Sequence, residues 1–222
     1  MAGHGAFTGG QTVGRGQLIM REIHRILFIR TDRIGDCLMN LGAIGLLRQS
    51  YPKAWLALCV DDSVADLFKG HPDLDEILTI KNEDLNQSRH ARAAFIKKLK
   101  KIHFDMALIS NPNKFFHWAV FSAGIPMRVG YKRKWSFLLT KSLPDNKDKH
   151  LMHELDANVR LVKLVSNERW DGAMKLPAEE SASQSIHELI APLAATGPLI
   201  AVHTGTSDPD KRWPIERFKE CD

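Results

Sequence analysis

RILFIRTDRIGDCLMNLGAIGLLRQSYP, residues 25–52, is the stretch on which the fold turns. RILFIR (25–30) reads as a buried strand, TDRIGD as a loop, and LMNLGAIGLLRQSYP as a helix ending before Pro52. The same alternation continues outward. AWLALCV (54–60), EILTI (76–80), FDMALIS (104–110) and MRVGY (127–131) read as four further strands. Between and after them fall a short helix around VADLFKG, the basic amphipathic helix RHARAAFIKKLKKI (89–102), a helix FFHWAVFSAG, and the amphipathic helix HELDANVRLVKLVS (153–166). Strands apolar throughout that alternate with helices predict an α/β fold with a doubly wound parallel sheet covered on both faces. Ligands of such sheets collect at the carboxyl ends of the strands.

The flanks read differently. Residues 1–24 are glycine-rich, carry no apolar periodicity and no signal-peptide core, and are expected to be a disordered extension, with Met20 a candidate start. Residues 25–170 form the Rossmann-like domain, and 171–197, punctuated by Pro, Gly and Ser around one helical stretch, a linker. PLIAVHTG (198–205) then reads as a new buried strand and loop, and WPIERFKE as a helix opening. Residues 198–222 are thus expected to be the first βα unit of a second Rossmann-like domain, in which the sequence stops.

The composition, 44% hydrophobic and 26% charged in 222 residues, is that of a globular protein. Cys37, Cys59 and Cys221 are far apart, which argues against a disulfide framework or a cysteine zinc site and fits a reducing cytoplasm. No apolar run reaches the length of a membrane span. A net charge of +5 suits nucleic acid, an acidic membrane surface or phosphorylated substrates, and equally a merely solvated lysine-rich surface.

Two loops carry the chemistry. In TDRIGD, Gly35 permits a close approach of the backbone and Asp36 sits at or near a helix N-terminus; spacing alone favours a simple cap for Asp36. The glycine-rich nucleotide fingerprints GxGxxG and GxxxxGK[ST] are absent from this loop. In AVHTGTSDPDKRWPIERF (201–218), Thr204, Gly205 and Thr206 offer hydroxyls and amides to a phosphate. Lys211 lies just before Trp213-Pro214, where it could neutralise a diphosphate. An ordinary polar turn with Trp213 as a core anchor explains that loop as well.

Together, Arg30 to Asp36, Arg128 to Tyr131, Leu138-Leu139-Thr140, His153-Glu154, and His203 with Lys211 to Pro214 resemble glycosyltransferase family 9, the heptosyltransferases of the lipopolysaccharide inner core. The resemblance runs from about Arg25 to the last residue, and implies a GT-B architecture of two facing Rossmann-like domains. It implies that Asp36 is the catalytic base of an inverting transfer, and that Lys211, Thr206, Thr204 and Gly205 hold the donor phosphates. The donor would be a nucleotide sugar such as ADP-heptose, and the acceptor a phosphorylated glycolipid, Kdo–lipid A or core. No metal or other cofactor is implied, and peripheral contact with the inner membrane face is. Arg33, Arg128, Lys132 and Arg133 are the candidate acceptor-binding cations. The family's later donor motif D-S-G-P-x-H is absent, so this chain is expected to be inactive while keeping a folded first domain.

Two other readings remain at this point: a chain that only binds acceptor, and a nucleic-acid-binding α/β module suggested by the basic and aromatic residues of RVGYKRKWSF. His150, His153 and Glu154 lack the HExxH spacing and are not expected to hold a metal.

Overall fold

The structure, a computed structural model, describes residues 22–111, 113–145, 152–178, 180–194, 197, 199–206 and 209–218. Most of the expected extension, Met20, His150 and Cys221 lie outside the described residues. The chain divides into two compact units, Met1–Pro177 and Ala178–Asp222.

The first unit is built on a parallel sheet of β1 (Arg25–Ile29), β2 (Trp55–Asp61), β3 (Glu76–Ile80), β4 (Met106–Ile109), β5 (Met127–Lys132) and β6 (Lys141–Pro144). The strand order is β3-β2-β1-β4-β5-β6, so the winding reverses between β1 and β4, which pair from Ile26↔Met106 to Ile29↔Ile109. Successive residues of β1 point to opposite faces. Ile26 and Phe28 enter one core with α2 (Leu41–Ser50) and α6 (Glu154–Val162). Leu27 and Ile29 enter the other with α4 (Arg89–Ile102) and α5 (Lys114–Ser122). All four side chains are completely buried, as an apolar strand covered on both faces requires.

Several local features depart from the sequence reading. The single helix expected over LMNLGAIGLLRQSYP is two helices, α1 (Ile34–Leu38) and α2, broken at Met39-Asn40. Asn40 is fully buried and must satisfy its amide: Nδ2 donates to the Asp36 carbonyl at 2.7 Å, and Oδ1 accepts from Ser110 Oγ at 2.8 Å. The sixth strand was not expected, because its residues are largely exposed at the sheet edge and show no apolar run. The helix around VADLFKG is a 3-10 turn over Asp62–Phe68, and a short α3 (Asn82–Gln87) follows β3. The helix over 153–166 closes early, at Val162.

Residues 170–175 form a strap held on the first unit. The Trp170 ring fills the space beside Gly42, where an added Cβ would lie 2.7 Å from it. Lys175 pairs with Asp73 at 3.0 Å, and its carbonyl meets His71 Nε2 at 2.9 Å.

In the second unit, α7 (Glu180–Ala194) occupies much of the expected linker, and α8 (Ile215–Phe218) follows Pro214. The buried strand expected at 198–205 is corrected: residues 199–206 form no strand, and Leu199, Ile200 and Val202 are 49%, 81% and 65% exposed. A strand is held by ladder hydrogen bonds to neighbours, and the described residues of this unit supply none.

Candidate active site

The loop after β1 is organised by one buried cation. Arg30, 4% exposed, directs its guanidinium to three carboxylates: Asp32 at 2.5 Å, Glu154 at 3.0 Å and Asp36 at 3.3 Å. Nη1 also donates to the Ser110 carbonyl at 2.8 Å. A guanidinium taken out of water is tolerated only with such a set of partners. Burial disfavours its charge, but the three carboxylates outweigh burial and hold Arg30 above its ordinary value. Burial, with a smaller push from Asp36, raises the Asp32 carboxyl despite the pull of Arg30. This is the expected asymmetry where three acids share one base. Asp36 lies in the first turn of α1, whose N-cap is Arg33. Its Oδ1 is braced by Arg30 while its side chain remains 40% exposed, so the carboxylate is fixed on one side and open on the other.

Beside it lies a floor of polar residues, one set at the carboxyl end of each central strand. Thr31 Oγ1 donates to Asn82 Oδ1 at 3.0 Å and accepts from Asn111 Nδ2 at 2.8 Å; Asn82 Nδ2 donates to the Thr31 carbonyl. Asp61 Oδ2 accepts from the Asn82 backbone N–H at 2.9 Å. The floor thus sits at the β1/β4 switch point, where doubly wound sheets bind ligands. None of these residues was singled out from sequence, although the polar residue that ends each apolar run was a usable sign.

Helices α4 and α5 both begin near this edge, and between their first turns opens a cleft of about 510 Å³. Arg89, Arg92, Lys114, Phe115, Trp118 and Trp135 line it. None of the three cations forms an ion pair with a described carboxylate: Arg92 donates to the carbonyls of Leu85 and Asn86, and Lys114 lies 5.5 Å above the Trp135 ring. No single sequence motif announces this group, because its members come from three separate segments.

The four expected acceptor cations divide. Arg33 is exposed beside Asp36, and Lys132 and Arg133 stand at the carboxyl end of β5, Arg133 paired with Asp145. Arg128 is in the amino half of β5, paired in register with Ala107. Its donors are engaged by the carbonyls of Leu138 and Ile125, both at 2.6 Å, so the structure does not bring it to Asp36. His153 caps α6, its Nδ1 accepting from Leu155 N at 3.3 Å, and Glu154 is the Arg30 partner.

In the second unit, Thr204, Gly205 and Thr206 lie in the strandless segment, and Lys211 ends a 3-10 turn over Pro209–Lys211. Trp213 packs edge-on against Phe218, with ring centroids 4.6 Å apart.

Asp-x-Asp, a spacing that suits a metal-bound nucleotide, occurs twice in the sequence, at Asp73-Leu74-Asp75 and at Asp208-Pro209-Asp210, of which Asp208 lies outside the described residues. The acids of the first triplet are engaged in the fold, Asp73 with Lys175 and Asp75 with Arg48 at 2.5 Å. Among the described residues no group of three or more His, Cys, Asp or Glu could hold a metal ion. No described helix is long and apolar enough to cross a membrane.

The sequence profile of glycosyltransferase family 9 (heptosyltransferase) matches residues 92–221. Among solved structures, the family 9 glycosyl transferase of Veillonella parvula is similar at 19% identity and a TM-score of 0.77, over 89% of this chain and 58% of that one. E. coli heptosyltransferase WaaC, solved with ADP-2-deoxy-2-fluoro heptose, is similar at 16% identity and a TM-score of 0.63, over 88% of this chain and 64% of its own. E. coli ADP-heptose lps heptosyltransferase II gives 18%, 0.65, 88% and 59% for the same quantities. The chain therefore spans about three-fifths of the length of these structures, and the likeness is one of fold. A search of curated proteins finds no match.

Proposed function

The chain belongs to glycosyltransferase family 9, and on that premise we propose that it serves an inverting transfer of a heptose from a nucleotide sugar such as ADP-heptose to a phosphorylated glycolipid of the lipopolysaccharide inner core. The observation that carries the reading is Asp36, braced by Arg30 through one oxygen and open to solvent at the carboxyl edge of the sheet.

In this reading an acceptor hydroxyl attacks the anomeric carbon as the bond from that carbon to the diphosphate oxygen breaks. The hydroxyl proton passes to Asp36, and the electron pair of the broken bond leaves with the nucleoside diphosphate. Proton removal by a positioned carboxylate contributes about 10²–10⁴-fold. Lys211, with Thr206, Thr204 and Gly205, takes the leaving charge, a contribution of comparable or larger size. Arg30 fixes the direction of the Asp36 carboxylate, and the fixed geometry lowers the reorganisation needed as the proton moves. Arg33, Lys132 and Arg133 supply positive charge to the phosphorylated acceptor, and the cleft of Arg89, Arg92 and Lys114 extends that field along the same edge.

The test is transfer from ADP-heptose to Kdo–lipid A by a chain extended to the full length of its structural relatives, with the anomeric configuration of the product read by NMR. An inverted product, and loss of donor use in Lys211→Ala, support the reading. A retained configuration or unchanged donor use would contradict it.

A further inference from the structure

α1 carries Asp36, yet packing anchors it little: of its five residues only Cys37 is buried. Its direction must come from polar contacts, and these are specific. A helix running straight on into α2 would bond the Asp36 carbonyl to the Asn40 backbone N–H. Instead that N–H closes onto the Cys37 carbonyl at 3.1 Å, and the Asp36 carbonyl accepts from the Asn40 side chain. The Met39 carbonyl, at the break itself, accepts from Nδ2 of Asn158 at 3.2 Å. A carbonyl can only accept, so the Asn158 amide must turn its NH2 group to Met39. Its Oδ1 then faces the Tyr131 hydroxyl, which donates to it at 3.0 Å.

Asn158 is fully buried, on a helix whose other buried residues are Leu155, Ala157, Val159, Leu161 and Val162. A buried amide is tolerated only when both of its ends are matched, whereas an apolar side chain of similar volume makes no such demand. The site therefore spends stability on a fixed orientation. Asn158 also lies one helical turn beyond Glu154, so the two share a face of α6. Glu154 meets the Arg30 guanidinium at 3.0 Å, and Arg30 meets Oδ1 of Asp36 at 3.3 Å. α6 thus reaches the Asp36 segment twice, through Arg30 at the carboxylate and through Asn158 at the backbone of Met39.

We propose that Asn158 and Tyr131 are positioning residues, which clamp the carboxyl end of α1 to α6 and so fix where the Asp36 carboxylate points. The consequence for transfer rests on Asp36 as the proton acceptor, and the clamp itself does not. Proton removal needs the carboxylate at hydrogen-bond distance from the attacking hydroxyl, and a misplacement of about 1 Å costs on the order of a hundredfold in rate.

Two variants test the clamp. Asn158→Leu keeps the volume and removes both hydrogen bonds. Tyr131→Phe keeps the ring and leaves the Asn158 amide free to turn, and it decides the matter where Asn158→Leu does not fold. The control is Tyr51→Phe, which removes a hydrogen bond to the Val165 carbonyl at the opposite end of α2 from Asn40. In the 222-residue chain, hydrogen exchange is read at the amides of Cys37, Met39 and Asn40. Asn158→Leu is expected to raise it at least about tenfold, and Tyr131→Phe about threefold, with exchange in β1 and β4 unchanged. Tyr51→Phe is expected to leave those amides as they were. In a chain extended to its relatives' length, Asn158→Leu is expected to lower kcat at least about tenfold with KM for ADP-heptose unchanged. Tyr131→Phe should do so by a smaller factor.

Unchanged exchange at these amides in the folded variants overturns the proposal. So does a rise shared by Tyr51→Phe or spread through the sheet, which would mark a general loss of stability. A rise at α1 with kcat unchanged, or a loss carried by KM alone, overturns the link to Asp36. Should the unaltered extended chain transfer nothing, the base role of Asp36 fails, and the exchange result by itself upholds or overturns the clamp.

Discussion

Two apolar runs of nearly the same composition, ILFI at 26–29 and LIAV at 199–202, meet opposite outcomes. The first is a central strand with parallel partners on both sides and no exposed side chain. The second forms no strand, with Leu199, Ile200 and Val202 open to solvent. Apolar composition supplies the same transfer free energy to both, on the order of 1.5–3 kcal/mol for each large side chain buried. What differs is the surroundings. β1 has β2, β4 and helices on both faces, whereas the described residues of the second unit offer 199–202 no ladder. The same contrast separates the candidate groups: Asp36 rests on a braced scaffold, and Thr204 to Thr206 on a segment without regular structure.

The contrast breaks most visibly under truncation of each run. Phe28→Ala should destabilise the first unit by about 3–5 kcal/mol in urea unfolding, through lost burial and the cavity left behind. Ile200→Ala should change the same transition by less than about 0.5 kcal/mol. Equal effects would mean that 199–202 is held by a core as β1 is.

Arg30→Met tests the brace itself. Removing the guanidinium leaves Asp32, Asp36 and Glu154 sharing a partly buried site without their cation, at a cost of about 3 kcal/mol. Hydrogen exchange should rise first at the start of α6, which Glu154 ties to the loop. Unchanged exchange there would show that the ion pairs add nothing to that contact.

Gly42→Val tests the strap that closes the first unit. The new side chain would meet the Trp170 ring and should cost about 1–3 kcal/mol by overpacking, with faster proteolysis across 170–177. An unchanged digestion pattern would argue that the strap is held by Lys175 and His71 alone.

The smallest effect is on pH dependence. Burial lowers His71 and His117 from their ordinary value near 6.5, against the partial opposition of the carbonyls of Lys175 and Lys134. The unfolded chain then takes up protons before the folded one does. Stability from these groups is full above about 6.5 and falls as the pH drops below it. Unfolding midpoints measured across that range should decline toward acid in the first unit, and His117→Gln should flatten part of the decline.

The first five strands were legible because each is a compact apolar run. β6 was not, because KSLP lies at the edge with little buried, and its place depends on the register of β5. The break at Asn40 was hidden because the bonds that cause it come from Ser110 and from the neighbouring turn. Asp36 could be named in advance by resemblance. Its brace could not, since Glu154 reaches Arg30 from 124 residues away and only the folded sheet joins them. Arg128 shows the converse: a basic residue in a promising motif that folding engages in carbonyl bonds at the other end of its strand.

The central claim is that Asp36 removes the acceptor proton. Its most direct test is the turnover of Asp36→Asn in a chain extended to the relatives' length, with ADP-heptose and Kdo–lipid A and an unfolding curve recorded beside it. A loss of at least about a hundredfold with stability unchanged is the predicted result. Near-normal turnover in a stably folded variant would contradict it and leave Asp36 as a partner of Arg30 in the fold.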